Sequence, residues 1–275
     1  MKQEIEHRHM SKPAKGANEP KVSFIIPNWN HRQLLAECIA SIGDTAAALS
    51  REIIVVDNAS SDDSAEYVTE NFSDVTWIQN DENLGYAKAV NRGVKEAQGD
   101  IFFLLNNDVK LLEGSAETLV RFLAAHPSAG AVAPLLYYPD GNIQVSCRRF
   151  PTPPALLLES AGIDRIGPFR RWKLRPEEHL EGGVVLQPMM SALMVKKDCW
   201  DAVGPLDEGF PIFFNDVDWC YRLYRNTKCE IYLCAEARAI HHYGASTNRL
   251  GYRKKFEWHR GLLRFYRKHF LNVRS

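Results

Sequence analysis

Net charge is the first thing this 275-residue sequence lacks, since 34 lysines and arginines meet 34 aspartates and glutamates. Nothing global therefore points to nucleic acid as a partner. Long apolar runs are missing too: none approaches the ~18 residues of a spanning helix, so any membrane contact is expected to be peripheral. The first 20 residues include His7, His9, Lys12, Pro13, Lys15 and Gly16 but no apolar h-region. A loose tail is expected there, not a signal peptide, and a cytoplasmic protein, with the inner face of a membrane within reach. The six cysteines (Cys38, Cys147, Cys199, Cys220, Cys229 and Cys234) form no C-x-x-C pair and no regular spacing. That argues against zinc and against a disulfide framework, and leaves buried free thiols in a reducing compartment. There is no internal repeat. Glycine is absent from the turn PNWNHRQLL after the first apolar run. A dinucleotide-binding protein passes its pyrophosphate across a glycine-rich turn at that place, and a P-loop is equally missing.

What is present is an alternation. Hydrophobic residues make up 45% and charged residues 25% of the chain, as in a soluble domain large enough for one extended core. KVSFIIPNW reads as a strand ending at Pro27, and Leu34, Leu35, Cys38, Ile39 and Ile42 follow on one helical stripe. EIIVVD, ending in Asp57, and VTWIQN repeat the strand pattern, each with a helix behind it, SAEYVTENF and ENLGYAKAVNRGVKEAQG. DIFFLLNNDV is the fourth strand. This order implies βαβ units and a mostly parallel sheet covered on both faces. After about residue 130 the alternation weakens. AVAPLLYYPDGNIQVSCRRF reads as strand, PDG turn and return strand, and residues 150–180 as a Pro- and Arg-rich loop over the site. VVLQPMMSALMVKK reads as a strand, KDCWDAVG as a short helix closed by Gly204, and FFNDVDWCYRLYRN as a helix starting near Asp216. CEIYLCAEARAIHHYG is a further strand, and a basic helix ends the chain.

The fourth strand carries the chemistry. Its apolar run, Ile101 to Leu105, stops at Asn106, Asn107 and Asp108, and ligands of open α/β sheets bind beyond the carboxyl ends of the strands. A carboxylate there can hold a hard divalent cation, which in turn holds a diphosphate. The alternative is an ordinary Asn/Asp turn.

The series IIPNWN, VVDNASSDDS, DENLGYAKAVNRG, LLNNDV, VGPLDEGFPIFFNDVDWCYRL and IHHYGAS, in that order, resembles the glycosyltransferase family 2 enzymes of the GT-A fold, in particular their bacterial polysaccharide and rhamnosyltransferase branch. The resemblance runs from about Lys21 to about Ser246. It implies an inverting transfer of a sugar from a nucleotide-diphosphate sugar, dTDP-rhamnose or a UDP-hexose, to a hydroxyl of a glycan or lipid-linked acceptor. It also implies that Pro27 and Asn30 lie against the nucleoside and that Asp57 hydrogen-bonds base or ribose, against the alternative of a turn cap. Asn83, Gly85 and Asn91 match the family's N-x-G…N pattern, with Asn91 as a reader of the nucleoside. Asn107 belongs to the same donor-side set.

Asp108 matches the last carboxylate of the family's D-x-D motif, with Asn106 in place of the first, and implies a Mg²⁺ or Mn²⁺ site completed by substrate phosphates. Asp216 matches the catalytic aspartate, with Asn215 where the family has Glu, and is expected to act as base. Asp218 is expected to pair with Arg222 at i, i+4. His241, His242 and Ser246 match the late H-x-x-G-x-S stretch, and His241 is chosen by register to approach the metal. The expected division is a tail at 1–20, a nucleotide-sugar half at 21–130, an acceptor half at 131–248 and a basic C-terminal helix at 249–275. On that helix Phe256, His259, Leu263, Tyr266 and Phe270 form a stripe among Arg253, Lys254, Lys255, Arg260, Arg264, Arg267 and Lys268, which either packs on the domain or rests on an anionic membrane. A sugar nucleotidyltransferase-like enzyme and a non-catalytic sugar-nucleotide binder are the competing readings.

Overall fold

The computed structural model describes residues 20–152, 176–210, 212–244 and 253–271. The N-terminal tail, most of the Pro- and Arg-rich segment and Ser246 lie outside the described residues.

The first half follows the alternation. Strands β1 (Val22–Asn28), β2 (Arg51–Asp57), β3 (Val75–Gln79) and β4 (Ile101–Leu105) are parallel and separated by α1 (Arg32–Thr45), α2 (Ser64–Asn71) and α3 (Tyr86–Glu96). Buried on both faces, β1 and β4 divide their side chains between two cores. Phe24, Ile26, Phe103 and Leu105 point toward α1, α2 and α4 (Ser115–Ala125), whereas Ile25, Phe102 and Leu104 point toward α3 and the C-terminal helices. Continuous apolar runs suit a doubly covered strand because each alternate side chain finds a core.

The second half joins the same sheet. In the nine-stranded order β3-β2-β1-β4-β10-β6-β11-β5, β10 (Ala192–Lys196) runs antiparallel between β4 and β6 (Ala129–Tyr137). β11 (Glu230–His241) is parallel to β6, and β5 (Val109–Leu111) and β8 (Gly183–Val185) pair antiparallel to β11. A second sheet is only β7 (Cys147–Arg148) with β9 (Gln187–Pro188). The remaining helices among the described residues are α5 (Pro176–Glu181), α6 (Lys197–Val203), α7 (Asn215–Asn226) and α8 (Arg253–Tyr266), the last continuing in a π turn to Leu271.

Three local expectations change. β1 runs past Pro27 to Asn28, because β4 pairs it only as far as Ile25 and the missing proline N–H faces no partner strand there. VVLQPMMSALMVKK is three strands in two sheets, since Pro188 cannot donate to a continuing ladder. The return after the PDG turn is a single bridge, Tyr137 to Ile143, before the chain leaves for β7.

Helix α8 packs on the domain with a different face from the expected stripe. Glu257, Gly261 and Phe265 are the buried positions, at i, i+4 and i+8. Gly261 permits this contact, because a Cβ there would stand 2.8 Å from Phe214 Cδ2 and 3.1 Å from the Phe213 carbonyl oxygen. Phe256 and Leu263 are left 67% and 48% exposed.

Cations of the C-terminal segment close over a buried carboxylate, Asp218, and a half-buried one, Asp207. Asp218 takes Arg222 Nε at 2.9 Å, as the i, i+4 spacing suggested, and also Lys268 Nζ at 2.9 Å and His269 Nε2 at 2.7 Å. Asp207 takes Arg264 Nη2 at 2.8 Å and Lys268 Nζ at 2.7 Å. Burial acts to raise Asp207, but hydrogen bonds from Lys268, the Gly209 N–H and Arg264 outweigh it and hold the carboxyl down to about 2. Burial is likewise outweighed at Asp218 by His269, Lys268 and Arg222. Depressed carboxyls contribute stability that is present above the unfolded value and lost as pH falls through the folded one. Acidification from about pH 4 toward pH 2 is therefore expected to release α8 from the domain. Trp258 fluorescence should report that release, and Asp207→Asn should move it to higher pH.

Candidate active site

A cavity of about 970 Å³ opens where β1, β2 and β4 end and is closed by α7, α8 and the β7–β9 ribbon. Each strand end delivers a polar residue. The register sets Asn28 beside Asp57 and Asp57 beside Gln79. Asn28 Nδ2 donates to Asp57 Oδ1 at 2.7 Å, and Asn107 Nδ2 donates to Asn28 Oδ1 at 2.7 Å, so one amide ties the ends of β2 and β4 together. Asp57 also accepts from the Ser60 N–H at 2.8 Å, Ser60 Oγ at 2.5 Å and Gln79 Nε2 at 2.8 Å. A carboxylate has about four acceptor positions. All four are engaged inside the protein, and Asp57 is 1% exposed and does not line the cavity.

The other donor-side candidates divide. Pro27, Asn83, Gly85 and Asn107 line the cavity. Gly85, at φ +81°, turns the chain into α3 and donates its N–H to Asn83 Oδ1 at 3.0 Å. Asn30 lies off the cavity: its Oδ1 accepts the Ser61 N–H at 2.8 Å and its carbonyl accepts from Asn107 Nδ2 at 3.2 Å, which binds the β1–α1 loop to its neighbours. Asn91 is off it as well. Its Nδ2 donates to the Leu206 carbonyl at 2.9 Å and to Glu208 Oε1 at 3.0 Å, and its Oδ1 accepts the Leu206 N–H at 2.9 Å. These contacts fix the loop before α7, because α3 turns that face toward the second half. Asn28 and Asn58 line the cavity, and both stand inside motifs whose neighbours drew attention instead.

At the end of β4 the chain folds straight back into β5, and the β5–β11 pairing sets His241 opposite Val109. His241 is 2% exposed, whereas His242 faces solvent and only its N–H is used, on the Asp108 carbonyl at 3.0 Å. His241 Nδ1 lies 2.7 Å from Gln144 Oε1, which accepts a hydrogen bond from it and fixes the ring so that Nε2 faces Asp108. Nε2 stands 3.3 Å from Asp108 Oδ1, a buried oxygen with no hydrogen-bond partner. Asn106 Oδ1, also on the cavity wall, is buried and unpartnered too. Two unpartnered oxygens, on Asp108 and Asn106, with the His241 imidazole beside Asp108, fit a hard cation. Among the described residues no group of three or more His, Cys, Asp or Glu gathers for a metal, so any ion here takes further ligands from elsewhere.

Asp216 sits across the cavity in the first turn of α7. Phe214, at φ +71°, bends the chain sharply before it, and Asn215 Oδ1 accepts the Asp216 N–H at 2.7 Å while its Nδ2 reaches the Phe210 carbonyl at 3.3 Å. Asp216 Oδ1 accepts the Val217 N–H at 2.8 Å and Oδ2 accepts Gln187 Nε2 at 3.1 Å. Loss of water contact pushes its carboxyl above the ordinary aspartate value, against the Val217 N–H and the Arg148 charge. Arg148 and Gln187 come from the β7–β9 ribbon, and nothing in their local sequence marked them. Phe214 and Tyr243, non-glycine residues at positive φ, line this cavity, and Asn30, His31 and Ala59, also at positive φ, follow its lining residues Trp29 and Asn58 in the chain. Such backbone costs about 1–3 kcal/mol each and gathers where side chains must be aimed.

The cavity lies at the strand ends of a sheet into which β10 is inserted antiparallel. Residues 23–173 match the family described as Glycosyl transferase family 2, and the chain belongs to that family. It is 28% identical over 218 residues, 72% of this chain and 68% of the relative, to the N-acetylglucosaminyl-diphospho-decaprenol L-rhamnosyltransferase of Mycobacterium tuberculosis. Among solved structures it superposes on GalNAc-T7 with UDP, GalNAc and Mn²⁺ at a TM-score of 0.67 with 15% identity, covering 91% of this chain and 48% of that one. It also superposes on the mannosyltransferase PcManGT of Pyrobaculum calidifontis, in complex with GDP-Man and Mn²⁺, at 0.63 with 17% identity, covering 96% and 69%.

Asn91→Leu separates a loop clamp from a nucleoside reader. It leaves Leu206 backbone groups unpartnered, so stability should fall by about 1–3 kcal/mol while nucleotide affinity stays near wild type. Urea unfolding and isothermal titration with UDP measure the two quantities.

Proposed function

We propose that this chain is an inverting glycosyltransferase that moves a sugar from a nucleotide-diphosphate sugar, dTDP-rhamnose or a UDP-hexose, onto a hydroxyl of a lipid-linked glycan acceptor in cell-surface polysaccharide synthesis. The observation that carries this reading is a carboxylate with raised proton affinity, Asp216, lining the same cavity as Asp108 and His241. The name of the mycobacterial relative supports the lipid-linked acceptor.

In this reading the nucleoside lies along Pro27, Asn28, Asn58, Asn83 and Gly85, over the strand ends that Asp57, Asn30 and Asn107 hold in place. Asp108 and His241, with Asn106 beside them, hold Mg²⁺ or Mn²⁺, which supplies charge neutralisation for the departing diphosphate. Gln144 fixes the imidazole so that Nε2 faces Asp108. The acceptor hydroxyl approaches from the side of α7 and α8. Asp216 takes its proton as the oxygen attacks the anomeric carbon, opposite the breaking bond to phosphate, and the nucleoside diphosphate leaves. One base and one displacement invert the anomeric centre. Gln187 and the Val217 N–H orient the carboxylate, and Arg148 offsets charge beside it. Among the described residues no helix is long and apolar enough to cross a membrane, and we place the enzyme at the cytoplasmic face, with α8 as the membrane-facing element.

Two expected outcomes test this. UDP or dTDP should bind more tightly with Mn²⁺ than with EDTA, Asp108→Ala should remove the difference, and Gln144→Leu should weaken Mn²⁺ binding by about 10–100-fold in a titration followed by electron paramagnetic resonance. Asp216→Asn should lower kcat by about 10²–10⁴-fold with donor affinity kept. The wild-type rate should decline on acidification at a pH above that of an ordinary aspartate, since the base must be ionised to act. Equal turnover in Asp216→Asn, or a retained anomer by NMR, overturns the mechanism.

A further inference from the structure

A second groove, of about 510 Å³, lies between α8 and the loop at 207–213. It shares Ile212, Phe213, Glu257 and Arg260 with the larger cavity, so a ligand leaving the Asp216 side runs directly into it. Arg260, Leu263 and Arg267 line it from the C-terminal helix, and Phe256 and Leu271 continue the same exposed stripe beyond its lining, at successive spacings of four, three, four and four residues. Apolar and cationic side chains alternate along this stripe, and the three apolar ones are 67%, 48% and 63% exposed.

The cations that line the groove fall into two sets. Arg264 and Lys268 are spent on Asp207 and Asp218. Arg267 has no partner among the described residues, and Arg260 makes only a 3.4 Å contact with Glu257 from a side chain 60% exposed. The closing π turn makes the division possible, since it lets the adjacent Lys268 and His269 both reach Asp218 while Arg267 stays outward.

We propose that this groove is the subsite for the phosphates that join the acceptor sugar to its lipid, with Arg260 and Arg267 on the phosphate oxygens and Phe256, Leu263 and Leu271 against the first part of the lipid chain. The inference rests on the functional reading above and adds to it the place of the acceptor's linkage. Guanidinium forks match phosphate geometry. The donor's own diphosphate belongs at Asp108, and neither Asp108 nor His241 lines this groove. A sugar or nucleotide has no use for three exposed aliphatic and aromatic side chains interleaved with the arginines. Asp207 and Glu257 in the groove wall disfavour the groove itself as a seat for a continuous anionic surface, even with α8 facing the membrane, whereas one discrete anion fits between them and the arginines.

The test is binding of farnesyl diphosphate in EDTA by isothermal titration, beside farnesol, inorganic pyrophosphate and phosphatidylglycerol vesicles. Farnesyl diphosphate should bind more tightly than farnesol or pyrophosphate. Arg267→Gln should weaken it about tenfold and Arg260→Gln/Arg267→Gln about a hundredfold, with melting temperatures near wild type because both side chains are exposed. Unchanged affinity in the double variant overturns the proposal. Displacement of farnesyl diphosphate by UDP with Mn²⁺ overturns it too, as does a loss confined to vesicles. If farnesyl diphosphate behaves as expected while UDP fails to bind the wild type, the groove stands and the donor reading falls.

Discussion

The amide of Asn28 is the contact on which the site depends. It donates to Asp57 at the end of β2 and accepts from Asn107 at the end of β4, so three neighbouring strands stop at one level. Buried polar groups of this kind are costly unless satisfied, and here Ser60 and Gln79 fill the remaining positions on Asp57. A residue such as Asp57 thus acts through others, giving the cavity a rigid floor. The first βα turn carries no glycine, and the loop is held rigid by its hydrogen bonds instead. Asn30 and His31 hold it at positive φ with side chains present.

The chemistry is assembled from parts distant in sequence. Asp108 and His241 meet only because β5 folds back from β4 to pair with β11, and Asp216 meets Arg148 and Gln187 only through a ribbon of two-residue strands. Short pairings fix position without needing long complementary runs. The resulting cavity has a lone-pair-rich end at Asp108 and a desolvated carboxylate at Asp216, an asymmetry suited to a donor phosphate on one side and a hydroxyl on the other.

Helix α8 ties that cavity to the surface. Its buried stripe is organised around Gly261 and Phe265, and two acids of the domain draw its cations inward. Its apolar residues are spread over both faces. The interior face is selected by which side chains leave room for Phe214, not by which are most hydrophobic, and the rejected apolar positions remain outside.

Sequence alone carried the parallel strands β1 to β4, the helices α1 to α3, the ordered family motifs and the pairing of Asp218 with Arg222, because each depends on local periodicity or fixed spacing. It also marked Asp108, His241 and Asp216, which end or begin elements at polar breaks. It did not distinguish Asn28 from Asn30, or show that Asn91 grips Leu206, because an amide's partner is decided by what arrives across the sheet. The splitting of VVLQPMMSALMVKK followed from a proline whose meaning depended on the strands beside it. The face of α8 was decided last, since a 3–4 stripe can be drawn on either side of a helix with aromatics all round. Local chemistry determined which elements form and where they stop, while long-range pairing and steric fit decided which of their side chains meet.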